Sequence, residues 1–132
     1  MTSHEIDSAM ILVHPLLAIA GYAFIFVFAF SLSFARNKDT RLIRFLGLAG
    51  WLFTFFGLVT GMVWAQIAWS SYWSWDPKET STLVLLLTVS ASFAVYNEKK
   101  LKAAKWLSIV ACFMSVLTAS ISFVLTGLHS FV

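Results

Sequence analysis

The placement of charge constrains this chain more than any other feature. Its nine basic and six acidic residues fall in tight groups, leaving uncharged runs at 8–35, 45–75, 80–97 and 106–132. About 20 apolar residues cross the hydrocarbon core of a bilayer, so each run can span once. The composition agrees, at 60% hydrophobic and 11% charged, against roughly 25% charged in a soluble domain. Four spans and short links use up the 132 residues, leaving no room for a nucleotide-binding unit or a soluble catalytic module. The expected fold is an all-α integral membrane protein, a four-transmembrane-helix bundle forming a single domain over 1–132. Its helices are expected at about 15–35, 42–69, 77–97 and 103–129, with a tryptophan-rich loop at 70–79. The first run starts too far in, and lacks the basic leader and cleavage site of a secretory signal, so the N-terminus is expected to be retained.

A net charge of +3 could suggest nucleic acid, but the positions of the basic residues report topology and exclude that partner. Arg36, Lys38, Arg41 and Arg44 fill the first link, and Lys99, Lys100, Lys102 and Lys105 the third. The positive-inside rule puts both links on the cytoplasmic side. Both termini and the 70–79 loop are then expected on the outer face of the cytoplasmic membrane, where Glu5, Asp7, Asp76 and Glu79 outnumber Lys78. Cys112, the single cysteine, lies in mid-span, so one chain offers neither a disulfide nor a cysteine metal cluster.

Proline suits the first turn of a helix and disfavours helical geometry before it. The first helix is therefore expected to begin at Pro15, with His14 at its outer end; the alternative is a kinked helix from Met10. Gly57 and Gly61 form a small-xxx-small pair that suits close helix packing. Asp76 as N-cap, Pro77 at the first position and Glu79 as capping-box partner start the third helix. Ser108, Ser115, Ser122 and His129 recur every seven residues and share one face, which would leave space below His129.

His14 and His129 thus converge on one rim from opposite ends of the sequence. Two histidines facing each other across a bundle can supply both axial positions of a b-type haem. Small residues below His14, Ala18 and Gly21, would suit a flat macrocycle or simply close packing. The same rim carries Trp64, Trp69, Tyr72, Trp73 and Trp75. They suit either an interfacial belt or a platform for an aromatic ligand such as haem or a quinone. Asp76 and Glu79 read as a cap and solvated turn, whereas Lys78, the one basic residue of that face, could meet a propionate or another anion. His4 reads as a surface residue of a polar tail. A Gly-rich phosphate loop, paired intramembrane carboxylates and a Cys-x-x-Cys-His site are all missing, which excludes kinase, glycosidase and c-type cytochrome chemistry.

The run from Trp64 to Thr80, W-A-Q-I-A-W-S-S-Y-W-S-W-D-P-K-E-T, resembles the tryptophan-rich "WWD" signature of the haem-handling proteins of cytochrome c assembly, of the CcsA, CcmC and CcmF type. His14-Pro15-Leu16-Leu17 with Gly21-Tyr22, and Gly127-Leu128-His129-Ser130, resemble the two flanking haem histidine segments. The resemblance implies non-covalent haem b at the outer face, ligated by His14 and His129, with the aromatics and the Asp76 to Lys78 segment against it. It implies presentation of haem to a chaperone or an apocytochrome c whose thiols attack the vinyl groups. Family members are usually longer. In the synthetase branch a histidine for a deeper haem stands where this chain has Ala94, and a tryptophan where it has Ser81.

The sequence therefore points to a haem-binding membrane protein of c-type cytochrome maturation, at most a component of a haem lyase system, with no stand-alone catalytic constellation. One alternative is a bis-histidine electron-transfer subunit of a larger respiratory membrane complex containing multihaem or c-type cytochromes. Another is a haem-free quinone-binding or structural subunit.

Overall fold

In hydrocarbon every backbone polar group must be satisfied within the protein, which leaves long apolar segments little choice but helix. The computed structural model describes the backbone of residues 3–129 and the side chains of residues 12–121 and 124. It contains four helices: α1 (Ser3–Phe34), α2 (Arg41–Trp69), α3 (Pro77–Asn97) and α4 (Leu101–His129). Each carries a stretch long and apolar enough to cross a membrane. Large apolar side chains such as Phe30, Leu87, Phe113 and Val116 face outward. A surface of this kind belongs against lipid. Most hydroxyls inside the spans return to their own helix, as Ser33 does to the Ala29 carbonyl and Thr88 to that of Val84, and no buried side-chain polar atom among the described residues is left without a partner.

The first helix departs from the expectation. α1 does not begin at Pro15 but runs through it from Ser3, so His14 sits within a helix, and residue 4 belongs to that helix and not to an irregular tail. Proline removes one hydrogen bond to the preceding turn without forbidding the helix, and such a loss is tolerated in spans where neighbouring helices re-satisfy the freed groups.

α1 packs on α2 and α4, and α3 packs on α4 and α2, giving a ring of antiparallel neighbours. Along the α1–α2 seam, His14, Ala18, Gly21, Ile25 and Phe28 meet Gly61, Gly57, Thr54, Gly50 and Gly47 in turn. Alternating steps of four and three on both helices are the spacing of left-handed knobs-into-holes packing. The glycines are what brings the backbones together: a Cβ on Gly57 would lie 3.7 Å from the Ala18 backbone, and one on Gly21 3.1 Å from Thr54 Oγ1. Gly21 is thus filled by α2 and leaves no open space.

On α4 the buried stripe is Ala104, Ser108, Ala111, Ser115 and Thr118. Ser92 of α3 donates across the contact to the Ala104 carbonyl at 3.0 Å. Ser108 and Ser115 are therefore seam residues whose small side chains let α4 approach its neighbours closely. The side chains of His4, Ser122, Gly127 and His129 lie outside the described residues.

The two basic links meet at one end of the bundle. Lys99 reaches Asp39 at 2.6 Å, Arg44 reaches the same carboxylate at 3.1 Å, and the buried Tyr96 hydroxyl donates to the Lys38 carbonyl at 2.8 Å. The tryptophan-rich loop closes the opposite end.

Candidate functional site

The loop between α2 and α3 is held by its own polar groups. α2 stops because Ser70 adopts the left-handed conformation, φ 58°, and returns its N–H to the Gln66 carbonyl at 2.9 Å. α3 starts where the Asp76 carboxylate accepts the Glu79 N–H at 2.7 Å, followed by Pro77 in the first turn. The capping box is only half formed. The Glu79 carboxylate accepts the Ser74 N–H at 2.7 Å instead of reaching back to Asp76, with Trp75 between them at a positive φ of 58°. That left-handed turn brings an earlier N–H within reach, and the carboxylate pins the whole loop instead of one residue.

The five aromatics do not form one platform. Trp64 packs edge-on against Trp69 with ring centroids 4.9 Å apart, and Trp73 against Trp75 at 5.3 Å. Trp64, Trp69 and Trp73 line a cleft of about 60 Å³ together with His14, Asp76 and Lys78. Tyr72 and Trp75 are 55% and 66% exposed and line neither it nor the cavity beneath. Spacing puts all five on one rim; the structure sends three of them into the cleft and leaves Tyr72 and Trp75 outside it.

Below the cleft is a cavity of about 380 Å³ walled by all four helices: His14, Ala18 and Tyr22 from α1, Thr54 and Gly57 from α2, Lys78, Thr82 and Leu85 from α3, and Ala119 from α4. Its size and mainly apolar lining with a few polar groups are those of a small-molecule site. His14 and Lys78 border both spaces and so mark the passage between them. Among the described residues no carboxylate comes within ion-pair distance of Lys78, which leaves its ammonium available to an anionic ligand group.

His14 is fixed from two sides. Its ring lies on the bare backbone of Gly61, where a Cβ would be 3.1 Å from Cε1, and its Nδ1 is 3.1 Å from Thr60 Oγ1. The sequence does not mark Thr60, and it marks Tyr22 only as part of the Gly21-Tyr22 stretch of the His14 segment. Thr60 could have been found from its place beside Gly61 once the α1–α2 register was known, because that register sets His14 against Gly61.

Among the described residues no three His, Cys, Asp or Glu side chains gather as a metal site. The donor set there is one imidazole above an apolar cavity with a cation at its mouth. That chemistry fits an amphipathic macrocycle with acidic substituents, such as haem. α4 ends at His129 at the same end of the bundle as His14. At the other end, Ala94 is exposed on α3 while Ser92 and Tyr96 are buried. Ser81 is buried and donates to the Lys78 carbonyl at 3.1 Å.

Four apolar spans around a cavity, with a tryptophan-lined cleft above it, define a multi-pass membrane protein. The chain belongs to the cytochrome C assembly protein family, whose model matches residues 1–129. It is 45% identical over 69 residues to the cytochrome c biogenesis protein CcsA of Chlamydomonas reinhardtii, covering 52% of this chain and 18% of that protein. The CcsA of Trichormus variabilis is 48% identical over 60 residues, 46% of this chain and 17% of that protein, and the CcsA of Manihot esculenta 35% identical over 94 residues, 62% and 26%. The matched segments thus span about a quarter or less of the length of these relatives. No solved structure matches the chain.

Proposed function

We propose that this protein holds haem b non-covalently at the extracytoplasmic face of the cytoplasmic membrane and presents it for the maturation of c-type cytochromes. The observation that carries this reading is His14, seated between a four-helix cavity and a tryptophan-lined cleft that Lys78 also borders, in a chain of the cytochrome C assembly protein family. His14 and His129 would hold the haem iron. Trp64, Trp69 and Trp73 cover the ligand, and Tyr72 and Trp75 face the partner, a haem chaperone or an apocytochrome c. Lys78 receives an acidic substituent, and Asp76 acts through the cap that fixes the loop.

Bound haem supplies the vinyl groups to which apocytochrome thiols add. The chain's own part is to bind and orient: the cavity excludes water from one face, the imidazoles hold the position, and the loop controls what reaches the exposed edge. No side chain is asked to act as nucleophile.

Loss of the protein should abolish several holo-cytochromes c and leave their apoproteins to accumulate. The wild-type chain should restore them in the deleted strain, while His14→Ala and His129→Ala should not. Unchanged holo-cytochrome levels after deletion would contradict the reading.

A further inference from the structure

We infer that Thr60 holds His14 in one tautomer, with the proton on Nδ1 and the lone pair on Nε2, so that Nε2 is presented to a ligand before any ligand arrives. Thr60 Oγ1 lies 2.9 Å from the Phe56 carbonyl, 3.0 Å from that of Gly57 and 3.1 Å from His14 Nδ1. A hydroxyl has one proton and two lone pairs, and a carbonyl oxygen can only accept. The Thr60 proton therefore goes to the α2 backbone, the usual bond of a threonine within a helix. His14 Nδ1 must then be the donor. The reverse arrangement would leave the hydroxyl oxygen pressed against two carbonyl oxygens with no hydrogen between them, which is costly in an apolar setting.

Two consequences follow. A neutral imidazole that carries its proton on Nδ1 has its one basic lone pair on Nε2. The ring is also held in place, because it occupies the space beside Gly61 that any Cβ would contest. A ligating histidine whose second nitrogen donates to a fixed acceptor is oriented and made more basic, and loss of such a partner typically weakens metal binding about 10- to 100-fold. Thr60 is thus a positioning residue that acts through His14. Its relevance to haem rests on the function proposed above, while the tautomer itself does not.

The test uses the full chain in detergent micelles, labelled with ¹⁵N-histidine and free of haem, with His14→Ala to assign the signals. Thr60→Val removes the hydroxyl while keeping the shape, and Thr60→Ser restores it. The wild type and Thr60→Ser should show His14 protonated on Nδ1 and bare on Nε2, and Thr60→Val a mixture of tautomers. A proton on Nε2 in the wild type, or no change in Thr60→Val, would overturn the inference. In hemin titrations Thr60→Val should bind about 10- to 100-fold more weakly and Thr60→Ser like the wild type, with equal unfolding midpoints for all three haem-free proteins. Equal hemin affinities would overturn the positioning role. Failure of the haem reading would look different: His14→Ala would keep its hemin while the tautomer result stood.

Discussion

At the basic end of the bundle the helices are tied to one another. Asp39 takes both Lys99 and Arg44, the Tyr96 hydroxyl crosses to the first link, and Leu32, Ile43, Ala104 and the Tyr96 ring pack into a closed core. At the tryptophan-loop end, the loop's hydrogen bonds among the described residues run within it and to the adjoining ends of α2 and α3, through Ser70, Ser74, Asp76, Glu79 and Thr80. Lys78 has no ion-pair partner among the described residues there, and the helices line a cavity where a core would be. One end of the structure is closed by packing, and the other holds the cavity that the proposed function assigns to a ligand. Substitutions of similar chemistry should therefore report on different properties at the two ends.

The largest contrast lies along the glycine seam. A Cβ on Gly47 would come within 2.8 Å of the Phe93 ring, and one on Gly61 within 3.1 Å of His14. Gly47→Ala should destabilise the bundle in detergent by about 1–3 kcal/mol through overpacking, measured by unfolding, and leave hemin binding unchanged. Gly61→Val should do the opposite, displacing the imidazole and lowering hemin affinity by at least tenfold, about 1.4 kcal/mol, with a much smaller change in the unfolding midpoint.

Lys78→Met should weaken hemin binding by about tenfold, the scale of one charge-assisted hydrogen bond. It should leave binding of a haem esterified at its propionates unaffected; equal losses for both haems would remove the charge from the account.

At the closed end Tyr96→Phe should lower stability by about 1 kcal/mol, the usual net worth of one hydrogen bond, without altering the haem spectrum.

The smallest effect belongs to Asp39. The hydrogen bond from Lys99, aided by the charges of Lys99 and Arg44, holds its carboxyl below the usual carboxylate range. A lowered folded-state value means that the contribution is complete above the ordinary carboxylate pKa and fades as pH falls through the folded one. The group is fully exposed, so this contribution is small and salt-sensitive. Asp39→Asn should slightly flatten the acid side of the stability profile and change nothing at neutral pH in high salt.

Much of this division can be read from the sequence. The spacing of charges marks four spans, and the Asp76-Pro77 pair marks the start of α3, because both depend on local chemistry. Pro15 misleads, because proline's preference for a first turn is a local tendency that packing in the bundle overrides. The split of the aromatics is hidden because it depends on the loop's backbone course, with left-handed residues at Ser70 and Trp75 that no spacing rule announces. Thr60 is hidden for another reason: it matters only through the inter-helix register that sets Gly61 against His14. The seven-residue repeat of Ser108 and Ser115 marks a buried face, while the space expected below His129 lies outside the described residues.

The claim that the open end is a haem site is tested most directly by optical spectra, oxidised and dithionite-reduced, of the protein purified in mild detergent beside His14→Ala and His129→Ala. The account predicts a sharp low-spin b-type spectrum in the wild type that is lost in both variants, since bis-histidine ligation needs both imidazoles. A wild type that takes up no haem even after reconstitution with hemin, or variants that keep the full spectrum, would contradict it.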